Sequence, residues 1–411
     1  MSMMAEKIKL LLFVLMISFI LLTSVAMSAV ITNVTISSSG SIGNLNSLPL
    51  HVEGNKIVDA TGRVVLLRGV DYTYFMDTPD GSWMGSDGYI HWDQTVSVED
   101  NFRITDMDQY LDGMAAWNVN LIRVFSTTEW WVRDSCNFRS HLETFLDHAA
   151  DRGIYVLFTF WRHSDSGPNG PLHVPYPPYF TDNEGIINSQ AEFIALWGGI
   201  ASELKGYDNI IFEFWNEPWG NSAAENSWFS TTQQCINAVR DAGATQLIDI
   251  VWDGPITYDF GTGYMQNWDW VSQHPLTDPS NNLIYDMHAY RSNAYDIDGI
   301  YNNCAHTMAE VTTWLNVTDT LELAQSKPLM VGEIGVDMYS SNLNEAVEWF
   351  DNTLTLFDQY GISYAIFAGP PWSTGSTSST WAIVYNNQPN YSPNAAGQIL
   401  KQHLAFSAPP S

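Results

Sequence analysis

Basic residues are scarce in this 411-residue chain, which has 16 Lys and Arg against 45 Asp and Glu and a formal net charge of −29. A chain this acidic repels nucleic-acid phosphates and anionic membrane surfaces, which disfavours both as partners. Charged residues make up 15% of the chain, against about 25% in typical domains, so the shortfall is in bases. We therefore expect few ion pairs that depend on ionised carboxylates, and a fold that tolerates mild acid.

Cysteine is rare as well. The three cysteines, Cys136, Cys235 and Cys304, are far apart and form no Cys-x-x-Cys pair, so the sequence predicts neither a zinc site nor a redox motif. One disulfide with one free thiol remains open, and the spacing does not identify the pair. No His-x-His follows the first predicted strand and no Gly-rich phosphate loop follows the seventh, which disfavours metal-dependent hydrolases and phosphosugar enzymes. We expect no metal and no cofactor.

Apolar runs that resemble a membrane span are absent after residue 22. The run Leu10–Leu22 follows Lys7 and Lys9 and precedes small residues at Ala26–Ser28, a pattern typical of a secretory signal peptide. The run is short for a membrane anchor, so we expect cleavage and secretion. The predicted organisation is a signal peptide at 1–28, a Ser/Asn/Gly-rich spacer at 29–50, a catalytic domain at 51–406 and a short tail at 407–411.

Strand-like and helix-like segments alternate regularly from residue 51 onward. Eight such units predict an α/β fold, a parallel sheet closed as a (β/α)8 TIM barrel, preceded by a small N-terminal β-hairpin made of His51–Val58 and Gly62–Val65. An open doubly wound sheet is disfavoured because no Gly-x-Gly-x-x-Gly follows the first strand. The predicted strands are Val64–Val70, Asn120–Phe125, Tyr155–Phe160, the start of Ile210–Gly220, Leu247–Trp252, Leu283–Met287, Leu329–Val331 and Ser363–Phe367.

The stretch Ile210–Gly220 is the most informative part of the chain, because Asn216 and Glu217 stand where Pro218 must end a buried strand. A carboxyl group among Trp and Pro side chains is partly desolvated, which raises its pKa and suits it to proton transfer. Glu333 follows the seventh strand. Across a barrel mouth, the two Glu could lie about 5–5.5 Å apart, as a nucleophile and an acid/base do in a retaining glycosidase.

Other polar and aromatic residues end the remaining strands. Ten of the 17 Trp fall on predicted carboxyl-end connections, where aromatic faces could stack on sugar rings, and we expect about half of them only to pack loops. No Lys stands at a strand end, which disfavours a Schiff-base aldolase. The ten Trp are Trp83, Trp92, Trp130, Trp131, Trp161, Trp219, Trp268, Trp270, Trp372 and Trp381, and the other strand-end residues are Asp71, Tyr72, Arg123, His163, Asp253, His288 and Tyr290.

The chain resembles glycoside hydrolase family 5, the cellulase and mannanase family, over essentially its whole mature length. The resemblance rests on Gly54–Asp59, Leu67–Val70, Ile210–Pro218, Asn282–Tyr290 and Lys327–Gly335. It implies that Glu217 is the acid/base and Glu333 the nucleophile. It also implies a group of residues that bind the substrate or lie beside the two carboxyls: Arg123, Asn216, His288, Tyr290, Trp372, His163, Trp161 and Asp71.

Two positions depart from the family's pattern. The family often has Asn where this chain has Asp71, and its His after the third strand falls on Trp161, with His163 two residues later. Mannan-cleaving relatives also vary there. We expect a secreted, monomeric endo-β-1,4-glucanase that acts on a β-linked polysaccharide without a protein partner. The alternatives are an endo-β-1,4-mannanase of the same family and a catalytically silent polysaccharide-binding protein.

Overall fold

Eight parallel strands close into a barrel in the computed structural model, which describes residues 49–72, 104–134, 137–162, 187, 189–218, 222–252, 268–290, 305–338, 342–369, 383–384 and 392–405. Each barrel strand pairs in parallel with the next, and the last pairs with both the seventh and the first, so the sheet has no free edge. The barrel strands are β3 (Arg68–Tyr72), β4 (Leu121–Thr127), β5 (Tyr155–Arg162), β6 (Ile210–Glu213), β7 (Ile248–Val251), β8 (Leu283–Asp286), β10 (Leu329–Gly335) and β11 (Ser363–Ile366). A short β9 (Ala289–Tyr290) continues from β8 and pairs with the end of β10.

Helices cover the outside of the barrel. Their apolar faces pack on the outward-pointing strand residues in one large cluster. The ends carry the expected signals: Thr307 and Glu310 form a capping box, and Gly361 ends a helix with a φ of 71°. The described helices are α1 (Ile104–Ala116), α2 (Thr128–Arg133), α3 (Phe138–Ala150), α4 (Gln190–Leu204), α5 (Ser222–Asp241), α6 (Asp269–Gln273), α7 (Met308–Val317), α8 (Thr320–Leu323), α9 (Leu343–Tyr360) and α10 (Ala395–Ala405).

A small antiparallel hairpin lies under the amino-terminal end of the barrel. Its strands are β1 (Leu50–Glu53) and β2 (Lys56–Asp59), and Leu50 and Ile57 join the apolar cluster inside the barrel. The predicted hairpin is therefore present, but the prediction of its turn was wrong. His51–Val58 was predicted as one strand, whereas the chain reverses within it at Gly54, which has a φ of 64°. Val64 pairs with Val58 of the hairpin, so the first barrel strand begins later than predicted.

The barrel interior has two layers, because side chains that point inward recur every second residue along a strand. The lower layer is apolar and includes Leu121, Leu157, Ile211, Leu247 and Ile284. Two residues further along the same five strands, the upper layer is polar and buried, with Arg123, Thr159, Glu213, Asp249 and Asp286. The carboxyl ends of the strands thus carry a charged layer, on the face where barrel enzymes place their chemistry.

Trp130, Trp131, Trp268 and Trp270 are all buried, so the described loop tryptophans pack within the protein. Cys235 is a buried free thiol, and Cys136 and Cys304 lie outside the described residues, as do the predicted signal peptide, the spacer up to residue 48 and the tail. In the part of the chain that the structure describes, no helix has the length and apolarity needed to cross a bilayer.

Candidate active site

Seven of the ten predicted site residues meet at the carboxyl ends of the barrel strands. They form one connected set of hydrogen bonds and ion pairs around Arg123 and His288. Trp161 lies in β5, but its side chain is outside the described part of the chain, as are His163 and Trp372. The seven residues are Asp71, Arg123, Asn216, Glu217, His288, Tyr290 and Glu333.

Glu333 lies within β10, two residues before the strand ends, and is buried. Its Oε1 accepts a hydrogen bond from Arg123 Nη1 at 2.8 Å, and its Oε2 accepts one from the Tyr290 hydroxyl. Burial raises the pKa of the Glu333 carboxyl, and repulsion from Glu217 adds to this, whereas His288, Arg123 and Tyr290 act to lower it. Two direct donors to its oxygens favour the ionised form, which suits a nucleophile.

Glu217 differs from Glu333 in exposure, since 36% of its side chain is accessible. Its backbone is left-handed, with a φ of 48°, a conformation that costs a non-glycine residue on the order of 1–3 kcal/mol. Its Oε2 accepts a hydrogen bond from Asn216 Nδ2 at 3.3 Å, and its Oε1 lies 2.9 Å from His288 Nδ1. These contacts hold the carboxyl at the mouth of the barrel, where it can reach a solvent-side group.

The two carboxyl groups are close. One oxygen of Glu217, one oxygen of Glu333 and a ring nitrogen of His288 all lie within 4.8 Å of one another. This limit is compatible with the roughly 5–5.5 Å between the carboxyl groups of retaining glycosidases, and it lies well below the roughly 6.5–9.5 Å of inverting ones. The same three atoms are compact enough for a metal ion, but Glu333 already accepts hydrogen bonds from Arg123 and Tyr290, which favours proton transfer here.

His288 links the pair. It is buried, and its Nδ1 lies 2.9 Å from Glu217 Oε1 and 3.6 Å from Glu333 Oε2. Burial alone would lower its pKa, but attraction to Glu333 and Glu217 outweighs burial and raises the pKa well above its usual value. His288 can therefore hold a proton beside Glu217 or pass it to that carboxyl.

Arg123 is fully buried and organises the floor of the site. Its Nε and Nη2 donate to both oxygens of Glu213 at 2.8 and 2.7 Å, while Nη2 also donates to Asn216 Oδ1 at 2.6 Å. Thr159 donates to the same Glu213 at 2.7 Å. Planar, two-point pairing fixes the guanidinium so that Nη1 is aimed at Glu333.

Asp71 is fully buried beside Arg123, its neighbour in strand register. Its Oδ1 lies 3.4 Å from Arg123 Nη1, so Asp71 contacts the guanidinium of Arg123. Burial raises the pKa of Asp71 well above its usual value; Arg123 opposes the rise, and Glu333 adds to it. Asp71 is thus suited to be a neutral acid next to the guanidinium.

Sequence reasoning missed Glu213, Thr159, Asp249 and Asp286 as parts of the site. The signal that could have found them is the interior periodicity, because each stands two residues after an apolar residue of the lower layer. Glu213, Asp249 and Asp286 also lie together, with one oxygen of each within 4.8 Å of the others.

Comparisons with known proteins identify the family and the fold. Residues 79–371 match the family described as Cellulase (glycosyl hydrolase family 5). Among curated relatives, Endoglucanase EG-II of Hypocrea jecorina is 24% identical over 49% of this chain and 46% of its own length. Beta-mannanase/endoglucanase A of Caldicellulosiruptor saccharolyticus is 23% identical over 62% of this chain and 17% of its own.

The chain thus spans less than half the length of these curated relatives. Among solved structures, a beta-glucanase of Saccharophagus degradans in complex with cellotetraose superposes with a TM-score of 0.61. It is 16% identical over 91% of this chain and 98% of its own, which supports the barrel fold. The family match covers well over half of the chain, and the chain belongs to glycosyl hydrolase family 5.

Proposed function

We propose that this protein is an endo-acting β-glycanase, first of all an endo-β-1,4-glucanase, which cleaves glycosidic bonds with retention of configuration. The observation that carries the proposal is the closeness of Glu217 and Glu333, since one oxygen of each lies within 4.8 Å of the other. Their environments differ in the way that a retaining pair requires, since Glu333 is buried among donors and Glu217 is partly exposed.

In the first step, a carboxylate oxygen of Glu333 attacks the anomeric carbon and forms a glycosyl ester while the bond to the leaving oxygen breaks. Glu217 gives its proton to that oxygen, so that the leaving sugar departs as an alcohol. His288, whose Nδ1 lies 2.9 Å from Glu217 Oε1, can supply that proton to Glu217 before the transfer. Arg123 and Tyr290 stabilise the carboxylate form of Glu333 before attack.

In the second step, Glu217 acts as a base. It takes a proton from a water molecule, whose oxygen attacks the anomeric carbon and displaces the Glu333 carboxylate. The bond from the carbon to Glu333 breaks, and the two inversions together retain the configuration. The accessible side chain of Glu217 is the one placed to meet water, which supports this division of roles.

The substrate that we propose is a β-1,4-linked glucan, with a mannan as the alternative. The names of the relatives include both, an endoglucanase and a beta-mannanase/endoglucanase. We propose that Asn216, which donates to Glu217 and accepts from Arg123, contacts the 2-hydroxyl of the sugar that is cleaved. Trp372, Trp161 and His163 complete the proposed sugar-binding set.

A third possibility is a polysaccharide-binding protein without catalysis. Binding alone would not require two carboxyls with opposed environments or an imidazole between them, so the contacts of Glu217, His288 and Glu333 favour catalysis. We also propose that the protein is secreted and monomeric, acting on its polysaccharide without a protein partner. The support for secretion is the N-terminal pattern of Lys7, Lys9 and Leu10–Leu22.

The test is a reducing-sugar assay on carboxymethyl-cellulose, mannan, xylan and laminarin, with proton NMR of the first product formed. We expect the fastest release from the glucan and an initial β-anomer. Faster release from mannan would select the mannanase, an initial α-anomer would overturn the retaining mechanism, and no release from any polysaccharide would favour the binding protein. The variant Glu348→Gln, at an exposed position on α9, is the control that should match the parent.

A further inference from the structure

The upper layer of the barrel holds more buried carboxyl groups than buried cations. Within the described residues, five carboxyls surround one guanidinium and one imidazole. Arg123 pairs with Glu213, Glu333 and Asp71, and His288 lies beside Glu217 and Glu333. An unpaired ionised carboxyl in such a place costs several kcal/mol, so the layer must hold protons. The five carboxyls are Asp71, Glu213, Asp249, Asp286 and Glu333.

Among these five carboxyls, Asp249 has the surroundings that stabilise an ionised form least. It is 1% exposed, and neither of its oxygens accepts a hydrogen bond from the described residues. Its nearest charged neighbours are Glu213 on the adjacent strand β6 and Asp286 on β8, with one oxygen of each residue within 4.8 Å of the others. Both neighbours are acidic, so ionised Asp249 would be repelled from two sides.

Asp286 has a different task, because it contacts the backbone beside the proposed nucleophile. The ladder between β8 and β10 ends with Asp286 opposite Met330. Asp286 Oδ1 then accepts a hydrogen bond from the backbone N–H of Gly332 at 2.6 Å. The register of β10 against β11 shifts between Val331 and Ile334, so the segment that carries Glu333 is irregular there. Beyond Met330, the Asp286 side chain therefore takes the place of the β8–β10 backbone hydrogen bonds, next to Glu333.

Gly332 fits this arrangement for a steric reason. A Cβ atom at this position would lie 2.1 Å from Asp286 Oδ2. Only glycine allows the Asp286 carboxyl to lie flat against the strand that bears Glu333. The other oxygen of Asp286, Oδ2, accepts no hydrogen bond from the described residues, and the Asp249 carboxyl is the group placed to supply one.

We propose that Asp249 carries a proton and donates it in a hydrogen bond to ionised Asp286, and that this carboxyl pair positions Glu333 through the backbone of Gly332. Asp249 and Asp286 are then positioning residues, since neither touches the reacting atoms. The proposal deepens the proposed function and rests on it only for the role of Glu333.

The electrostatic surroundings support this assignment of the proton. Burial raises the pKa of Asp249 well above its usual value, repulsion from Asp286 and Glu213 adds to it, and Arg123 opposes it. Burial and repulsion from Glu213 also raise the pKa of Asp286, but attraction to His288 and Arg123 opposes the rise, so the pKa of Asp286 is raised less clearly than that of Asp249. These directions support the proposed placement of the proton on Asp249 and of the charge on Asp286, where the Gly332 N–H donates.

The first test needs no substrate and compares the thermal midpoints of the parent and Asp249→Asn between pH 5 and pH 8. A raised folded pKa means that the parent loses stability as the pH rises towards that pKa, while Asn does not titrate. The thermal midpoint of D249N minus that of the parent should therefore increase steadily as the pH rises. The matched control is Asp278→Asn: burial raises the pKa of Asp278, but hydrogen bonds from Arg240, Asn282 and Ser280 lower it overall. The thermal midpoint of Asp278→Asn should be lower than that of the parent by the same amount at every pH between 5 and 8.

The second test looks for the proton directly. An infrared difference spectrum between the parent and D249N at neutral pH should show one carbonyl band of a protonated carboxylic acid that the parent has and D249N lacks. A flat midpoint difference, a missing band, or a tightly bound metal found by elemental analysis of the parent after chelator treatment would each overturn the proposal. A failure of glycanase activity would leave both tests intact, so the two proposals fail separately.

The third test concerns positioning. Asp249→Val removes the donor, and Gly332→Ala pushes the Asp286 carboxyl away, so each should lower kcat, by as much as about 10²-fold for a shift near 1 Å, with little change in KM. D249N should recover most of the kcat lost in D249V, because its amide N–H replaces the acid proton. Parent-like kcat in D249V, or equal loss in D249N and D249V, would overturn the positioning role even if one variant folds poorly.

Discussion

Arg123 and Glu213 form a fully buried, two-point ion pair, with Nε and Nη2 of the guanidinium 2.8 and 2.7 Å from the two carboxylate oxygens. The pair explains how a flexible side chain can aim one remaining nitrogen at Glu333. Glu213 was not among the predicted site residues, yet it determines where the predicted Arg123 lies.

Glu213→Gln should therefore destabilise the fold by about 3–5 kcal/mol, because removing one partner leaves part of a buried charge uncompensated. The free energy of unfolding in urea is the measurement. The matched control is Glu203→Gln, which breaks the Arg139–Glu203 pair at 3.2 Å, where about a third of each side chain is exposed. That change should stay within about 1 kcal/mol. Equal effects of the two changes would contradict the importance of burial.

Replacing Glu217 by Ala should slow the cleavage of a natural glycan by about 10²–10⁴-fold, since general-acid assistance is lost. Aryl glycosides with good leaving groups should lose less in the step that forms the glycosyl ester. Added azide should give a β-glycosyl azide, because a small anion can enter where the carboxyl was. An α-azide, or full activity of the variant, would remove Glu217 from the proposed role, and Glu348→Gln is the control.

Tyr290→Phe should move the acid limb of the kcat/KM profile to higher pH. The Tyr290 hydroxyl donates to Glu333 Oε2 and lowers the pKa of that carboxyl. Without this donor the pKa of Glu333 rises, so the nucleophile is protonated at a higher pH than in the parent. A pH series of kcat/KM measures the shift. A downward move of the limb would contradict the hydrogen bond as a stabiliser of the ionised form.

Asp71→Asn should keep kcat/KM at neutral pH within about tenfold of the parent, or about 1.4 kcal/mol. Burial raises the pKa of Asp71 well above its usual value, which favours the neutral acid, and an amide resembles that form. Asp71→Val, which removes the acceptor facing Arg123, should lose more. If D71N is as impaired as the valine variant, Asp71 acts as a charge.

The sequence predicted the barrel well, because the alternation of buried strands and amphipathic helices is a strong pattern. The closed eight-stranded sheet, the N-terminal hairpin and the family are confirmed. The turn at Gly54 was missed, since a glycine within an apolar alternation does not by itself show a reversal. Strand ends were misplaced in both directions: β10 extends past Glu333, which was placed after the strand, whereas β6 ends at Glu213, before the predicted end at Pro218.

The polar layer was harder to predict than the residues at the barrel mouth. Glu217 stands beside Pro218, a visible strand breaker, whereas Asp249 and Asp286 sit among apolar residues inside strands. Their contacts depend on strand register and on the shear of the barrel, which bring β6, β7 and β8 side chains together. Register is a property of the whole closed sheet, so no local pattern could reveal it.

The final prediction concerns mild acid. Groups with a raised folded pKa, such as Asp71, Asp249 and His403 beside Asp358 and Asp351, bind protons more readily in the folded state, so stability increases as the pH falls through those values. Carboxyls with a lowered folded pKa, such as Asp59 and Asp278, stabilise the fold above their unfolded pKa of about 3.9 and lose this contribution only below it.

Thermal midpoints should therefore hold or rise between pH 7 and about pH 5, and should fall only below about pH 4. Activity should fall earlier than stability, because burial raises the pKa of Glu333 and its protonation removes the nucleophile while the fold persists. Melting curves and kcat/KM measured in the same buffers will test whether activity falls at a higher pH than stability does. A midpoint that drops steadily from neutral pH, in step with activity, would contradict the prediction that buried groups with a raised folded pKa govern stability in this range.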